Sequence, residues 1–242
     1  MMDQDEATLE WRPGDVPVAV RFDDPYYSLD DGLAEARFVF LDGNDLPARF
    51  AACAPGAQFH VAELGFGTGL NAAAALSAWR AAGAPGLLRF TSFEAYPLTP
   101  AAMARALAPW VDLAPAAADV LAALGGPAAP APVSAPPGAA PGDFRLEIIK
   151  GDVRETLPRW CGTVDAWFLD GFSPAKNPAM WDADLLRAVA AHTRPGGTCA
   201  TYTAAGAVRR ALAAAGFEVT RATGFGRKRH MTRGRLPGDT AL

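Results

Sequence analysis

The chain has 242 residues, half of them hydrophobic, with three cysteines and a formal net charge of −4. That length suits one enzyme-sized α/β domain with a substantial core, and no apolar run approaches the ~20 residues of a membrane helix. Cys53, Cys161 and Cys199 lie far apart without a CxxC pair, which argues against a disulfide framework, a zinc site or an iron–sulfur cluster. Residues 1–6 are acidic and lack the basic and apolar regions of a signal peptide, so a soluble cytoplasmic protein is expected. Charge is unevenly spread: residues 1–31 hold nine acids against Arg12 and Arg21, which leaves the remainder net basic.

In chain order, residues 1–58 read as an N-terminal extension, with short strands at 18–22 and 37–40 and a turn at Asp42-Gly43-Asn44-Asp45. This extension is expected to pack over the ligand site as a lid. The first core strand covers 59–64 and ends in the glycine-rich turn Gly65-Phe66-Gly67-Thr68-Gly69, which opens an alanine-rich, proline-free helix at 70–82. A second strand at 87–93 ends at Glu94, and a short helix lies within 100–110. Strands at 144–149, 164–169 and 198–203 end near Asp152, Asp170 and Thr203 respectively. Asp182 is placed to cap a helix that reaches about His192 and stops at Pro195-Gly196-Gly197. A helix at 205–215 and strands at 217–220 and 228–232 close the pattern, and the alternation argues for a largely parallel sheet. One domain over 59–242 results, interrupted at 114–142 by a segment with twelve alanines, seven prolines and four glycines. Residues 116–124 can form a short helix, but 127–142 cannot continue it and read as an inserted surface loop.

The chemistry sits at the strand ends. Glycines at 65, 67 and 69 permit a tight turn and a close ligand approach. The Gly-x-Gly-x-Gly spacing, with Glu63 two residues ahead, departs from the Gly-x-Gly-x-x-Gly of dinucleotide folds. It resembles the S-adenosylmethionine (SAM) loop of class I methyltransferases, in which the acid faces the cationic methionine end. Open parallel sheets bind ligands beyond the carboxyl ends of their strands, so Glu63, Glu94, Asp152 and Asp170 should face one crevice. Glu94 suits two ribose hydroxyls, and Asp152 suits an exocyclic adenine amine. Asp170, followed by Gly171-Phe172-Ser173-Pro174, is the candidate for orienting an amine and accepting its proton. His60, His192 and His230 are poorly placed for catalysis. Arg221, Arg227, Lys228, Arg229, Arg233 and Arg235 form a basic tract that suits phosphate contacts or the protection of a sheet edge.

Longer runs carry a closer resemblance. Glu63 to Asn71, Trp167 to Trp181 and Gly224 to Met231 are similar to three signatures of the SAM-dependent methyltransferases that complete 5-methylaminomethyl-2-thiouridine at the tRNA wobble position. Asp24-Pro25-Tyr26-Tyr27-Ser28 and the 38–44 run resemble that family too, so the likeness spans nearly the whole chain except 114–142. The resemblance implies a Rossmann-like, mostly parallel seven-stranded sheet, SAM as cofactor and no metal. Glu63, Gly65, Phe66, Gly67, Gly69, Asn71, Glu94, Asp152 and Asp170 would surround SAM, and Asp170 would act on the primary amine of 5-aminomethyl-(2-thio)uridine. Phe172, Lys176, Asn177 and Trp181 would meet the splayed nucleotide, although a structural role in their loop suits Lys176 and Trp181 equally. Arg227, Lys228 and Arg229 would contact the anticodon arm of tRNA. Many relatives fuse this domain to a flavin-dependent oxidase that exposes the amine; a stand-alone enzyme and a piece of a bifunctional one are both compatible with this sequence. Methylation of another amine, an NAD-linked oxidoreductase and non-catalytic tRNA binding are the competing readings.

Overall fold

The computed structural model describes residues 8–13, 15–27, 31–83, 86–125 and 143–238. A seven-stranded sheet has the spatial order β6-β5-β4-β7-β8-β10-β9. Its strands are β4 (Gln58–Leu64), β5 (Leu87–Glu94), β6 (Asp143–Lys150), β7 (Val164–Phe168), β8 (Thr193–Thr201), β9 (Glu218–Thr223) and β10 (His230–Arg235). Strands β4 to β8 pair in parallel, and β10 runs antiparallel between β8 and β9. Because β5 lies on one side of β4 and β7 on the other, the chain reverses direction across the sheet at β4. A crevice therefore opens beyond the carboxyl ends of β4 and β7.

The central strands are apolar on both faces because helices cover both. Val61, Ala62, Leu88, Phe90, Trp167 and Phe168 are fully buried, the pattern of a parallel sheet sandwiched between helical layers. Helix α3 (Leu70–Ala81) starts directly from the glycine loop, and its Leu76 and Trp79 have no exposure. Helix α4 (Pro100–Leu107), capped by Thr99, and α5 (Ala114–Leu124) lie on that side too. Helices α6 (Val153–Thr156), α7 (Ala183–Ala191) and α8 (Gly206–Ala214) accompany a second cluster around Trp167, Leu186 and Leu212. Asp182 caps α7 by accepting the Leu185 N–H at 2.8 Å, as its position suggests.

The N-terminal region contributes a three-stranded antiparallel sheet of β1 (Leu9–Arg12), β2 (Val16–Ala19) and β3 (Asp24–Pro25). It continues into α1 (Gly32–Ala36) and α2 (Leu46–Ala51), whose Leu33, Leu46 and Phe50 join the core around α3.

Several expectations need correction. Residues 37–40 are not a strand: Arg37–Leu41 is a turn of π-helix continuing α1, which buries Val39, Phe40 and Leu41 together. A short apolar run carries no periodicity that separates strand from helix. The strand expected at 18–22 lies at Val16–Ala19, because the chain turns at 20–23, where Asp23 adopts a φ of +45°. Pro195-Gly196-Gly197 does not precede the fifth strand; it lies within β8, where the β7–β8 register shifts. The short helix read at 116–124 is α5, which starts two residues earlier and buries Ala116, Ala117 and Val120. Residues 127–142 lie outside the described residues. Among the described residues, no helix is long and apolar enough to cross a membrane.

Leu76→Ala should lower the unfolding free energy by about 2–5 kcal/mol, the cost of a cavity in a fully buried site. Val111→Ala, at a position 78% exposed, should stay within about 0.5 kcal/mol. Urea denaturation measures both, and equal effects would contradict the burial described.

Candidate active site

The glycine loop leaves β4 with φ values of +86°, +53° and +80° at Gly65, Gly67 and Gly69, which side-chain-bearing residues rarely adopt. A Cβ at Gly67 would also lie 2.9 Å from the Tyr26 ring. The loop is thus pressed between the sheet and the N-terminal region, and it borders a cavity of about 1460 Å³. Gly65, Phe66, Gly67, Thr68 and Asn71 line one side. Glu94, Tyr96, Asp152 and Asp170 come from the ends of β5, β6 and β7. Phe22, Tyr26 and Glu35 line the cavity from the N-terminal region.

Behind the loop lies a buried carboxylate network. Glu63 has no exposure; Asn71 Nδ2 donates to its Oε1 at 2.8 Å, and Ser92 Oγ donates to its Oε2 at 2.9 Å. Asn71 Nδ2 also donates to Asp170 Oδ2 at 2.8 Å, while the Gly171 N–H donates to Asp170 Oδ1 at 2.8 Å. One amide therefore bridges the acids at the ends of two neighbouring strands. Burial holds Glu63 well above the usual carboxylate range, and the nearby Asp170 adds to this. Burial also raises Asp170, to about 6, although the bonds from Gly171 and Asn71 and the nearby Lys228 oppose the rise.

Glu94 sits across the loop, accepting the Gly67 N–H at 3.1 Å and the Tyr96 N–H at 2.8 Å. Burial, then the Glu94 charge, raises the Tyr26 hydroxyl far above its ordinary range. Asp152 lies on the cavity wall, but its carboxylate caps α6 and forks onto the Arg154 guanidinium, which holds it below the usual range. A ligand amine has to share it with Arg154.

The loop after β7 is tied to the lid. Phe172 stacks on Phe22 with ring centroids 4.3 Å apart and meets the edge of Tyr26 at 5.6 Å. Lys176 bonds the Asp23 carbonyl and the Asp24 carboxylate, and Ser173 N–H donates to Asp24 at 3.3 Å. Asn177 lines the cavity. Trp181 does not: it is 6% exposed, and its Nε1 donates to the Phe172 carbonyl at 3.0 Å, supporting the loop from beneath. Arg227, Lys228 and Arg229 are exposed on the β9–β10 turn. Of these, Lys228 reaches the cavity wall and pairs with Glu35 at 2.7 Å.

Several wall or network residues carry no signal in the sequence, Phe22, Thr68 and Tyr96 among them. Ser92 is the register partner of Glu63 across β4 and β5, a pairing that only the sheet order reveals. Tyr26, Glu35 and Tyr202 reach the site from distant elements. His60 is structural: it bridges the Thr163 carbonyl and the Thr91 hydroxyl, and burial keeps it neutral, down to about 3. Among the described residues, no group of three metal-ligating side chains gathers.

Residues 137–237 match a family described as S-adenosyl-L-methionine-dependent methyltransferase. A tRNA 5-methylaminomethyl-2-thiouridine biosynthesis bifunctional protein (MnmC) from Caulobacter sp. strain K31 is 47% identical over all of this chain and 40% of its own length. The protein of the same name from Chromobacterium violaceum is 45% identical over 96% of this chain and 35% of its own length. The chain thus spans about two fifths or less of these relatives. Among solved structures, MNMC2 from Aquifex aeolicus aligns over 98% of this chain and 73% of its own, with a TM-score of 0.76 at 22% identity. The fold is that of class I SAM-dependent methyltransferases.

Asp170 gives the site a pH signature. An unfolded carboxyl ionises near ~3.9, whereas Asp170 holds its proton to about pH 6 in the folded chain. Between these values the folded state binds the extra proton, so its stability declines as pH rises through the window and the deficit persists above it. Asp170→Asn removes that cost. The variant should gain up to about 2 kcal/mol over wild type between pH 4 and pH 7, read by urea denaturation at both values. A difference independent of pH would contradict the assignment.

Proposed function

We propose that this chain, a homologue along its whole length of part of the bifunctional tRNA 5-methylaminomethyl-2-thiouridine biosynthesis proteins, is a methyltransferase that N-methylates 5-aminomethyl-(2-thio)uridine at the wobble position of tRNA. The observation that carries this reading is the Asp170 carboxylate, fixed at both oxygens and facing a covered cavity beside the glycine loop.

The residues present fit SAM. The glycine loop is a cradle that side chains would fill, Glu94 offers two carboxylate oxygens at the end of β5, and Glu63 lies behind the loop. A dinucleotide's pyrophosphate would be repelled by this wall of acids. When bound, SAM supplies a methyl group on a cationic sulfur. Everything else in the reaction falls to the chain. A primary ammonium must lose a proton before its lone pair can attack, and Asp170, ionised above about pH 6, can accept that proton and aim the nitrogen. Phe172, with Phe22 and Tyr26 beside it, offers an aromatic surface for a base taken out of its stack. Arg227 and Arg229, exposed on the β9–β10 turn, are placed for anticodon-arm phosphates. Lys176 and Asn177 would border the nucleotide's entrance, with Trp181 holding their loop. The acceptor amine has to come from a reaction that removes a substituent from the modified uridine, a role for a flavin-dependent oxidase.

The test is transfer of labelled methyl from SAM to tRNA from cells lacking this activity, followed by nucleoside mass spectrometry. The expected product is 5-methylaminomethyl uridine; SAM binding without incorporation would move the reading to a different amine. Asp170→Asn should keep SAM affinity and lose at least ~10-fold in transfer rate, the low end of what a positioned acid–base group contributes. Arg227→Ala with Arg229→Ala should weaken tRNA binding and flatten its salt dependence, and an unchanged slope would assign that turn to edge protection.

A further inference from the structure

A primary ammonium is already seated in the cavity wall. Lys228 Nζ lies 2.7 Å from Glu35 Oε1 and 4.2 Å from the centroid of the Tyr202 ring. Glu35 comes from α1 in the lid region, Tyr202 from the end of β8 and Lys228 from the β9–β10 turn, and all three border the same cavity as Asp170. Tyr202 is locked in place: its hydroxyl donates to the carbonyl of Gly171, the residue after Asp170, at 2.6 Å, and the Trp181 edge meets its ring at 6.3 Å.

The two partners of the ion pair are unequal. The Glu35 side chain keeps 13% of its exposure, whereas Lys228 keeps 47%. The carboxylate and the aromatic face are built into the wall; the lysine reaches them from an exposed turn on a flexible stem. A carboxylate beside an aromatic face is the chemistry that recognises an alkylammonium. The charged groups around it are consistent: Asp170 and Glu35 both act on the Tyr202 hydroxyl, and Lys228 and Glu35 act in opposite senses on Asp170, so the four lie within one electrostatic neighbourhood.

We propose that Glu35 and the Tyr202 face form a receptor for the primary ammonium of the acceptor, and that Lys228 fills it with its own ammonium until the acceptor displaces it. The inference rests on the amine-methyltransferase reading and names the residues that select the amine. Glu35 and Tyr202 hold the nitrogen as a cation near Asp170, and Asp170 then takes the proton. Lys228 keeps the partly buried Glu35 charge paired in the meantime and favours an entering group that is itself cationic. It is thereby a specificity-determining residue, and its role differs in sign from a phosphate contact.

Steady-state methyl transfer to the amine-bearing tRNA, with SAM affinity measured separately, tests this. Lys228→Met should lower KM for the tRNA, whereas loss of a phosphate contact would raise it. In the Lys228→Met background, Glu35→Gln should raise KM by about tenfold, the scale of one charge-assisted contact, with SAM affinity unchanged. No effect of Glu35→Gln in that background would show that Glu35 serves only Lys228, and the proposal would fall. A second arm uses methylammonium, followed by NMR titration of the Lys228→Met protein. It should bind in the millimolar range, more weakly after Glu35→Gln or Tyr202→Leu and nearly unchanged after Tyr202→Phe, which keeps the ring. If wild type fails to methylate tRNA, the tRNA reading fails while this arm still decides the receptor; absence of methylammonium binding, or indifference to both substitutions, overturns it.

Discussion

Two carboxylates that end neighbouring strands meet on a single amide. Asn71, in the first turn of the helix after the glycine loop, donates from one nitrogen to both Glu63 and Asp170 at 2.8 Å. Acids this close repel one another and lose their hydration, and an unpaired buried carboxylate is costly. A buried polar group left without a partner costs about 1–3 kcal/mol, so the Asn71 amide and the Ser92 hydroxyl decide whether this arrangement can persist. The glycine loop, the start of α3 and the end of β7 are held in one geometry by that bridge. Burial divides the labour between the two acids, against the Asn71 bonds: Glu63, fully enclosed, stays well above the usual carboxylate range, while Asp170, at the cavity wall, is raised to about 6.

The cavity is closed by contacts that the central sheet does not supply. Phe22 and Tyr26 pack on Phe172, Lys176 bonds Asp23 and Asp24, and Lys228 pairs with Glu35. Each of these links the N-terminal region to an element from the second half of the chain. Exposed ion pairs contribute little, about 0–1 kcal/mol, and a stacked aromatic pair adds about 0.5–1.5 kcal/mol beyond its buried area. The region from α1 to α2 is fixed by buried Leu33, Val39, Leu46 and Phe50, whereas the cover over the cavity mouth rests on these weaker contacts. That division suits the proposed entry of a bulky acceptor, which the floor of the site would survive unchanged.

Much of this was legible in the sequence, for identifiable reasons. Strand-end acids beside a glycine-rich turn are local signals: Glu94, Asp152 and Asp170 border the cavity at the ends of β5, β6 and β7, whereas Glu63 turns away from it and is fully buried behind the loop. The Asp182 cap was readable for the same reason. Interactions between distant residues were not: Ser92 meets Glu63 only because β5 lies beside β4, and Glu35 meets Lys228 across 193 residues of chain. Residues 37–41 misled because four apolar residues carry no period, and their burial beneath the sheet, not their β propensity, made them helical. For Trp181 the sequence admits both roles, because an aromatic in a motif loop can serve as floor or as wall, and its indole N–H bond to Phe172 makes it floor. In Asp152, helix capping and a side-chain fork with Arg154 compete with the ligand contact expected of it.

The central claim is that the cavity beside the bridged carboxylates holds SAM with its reacting end towards Asp170. The most direct measurement is a crystal structure of the protein with S-adenosylhomocysteine. The methionine portion should lie over Gly65–Gly69, with the ribose hydroxyls on Glu94 and the sulfur facing Asp170 from within the covered cavity. A ligand bound with its ribose away from Glu94, or with Asp170 facing the adenine end, would contradict that claim.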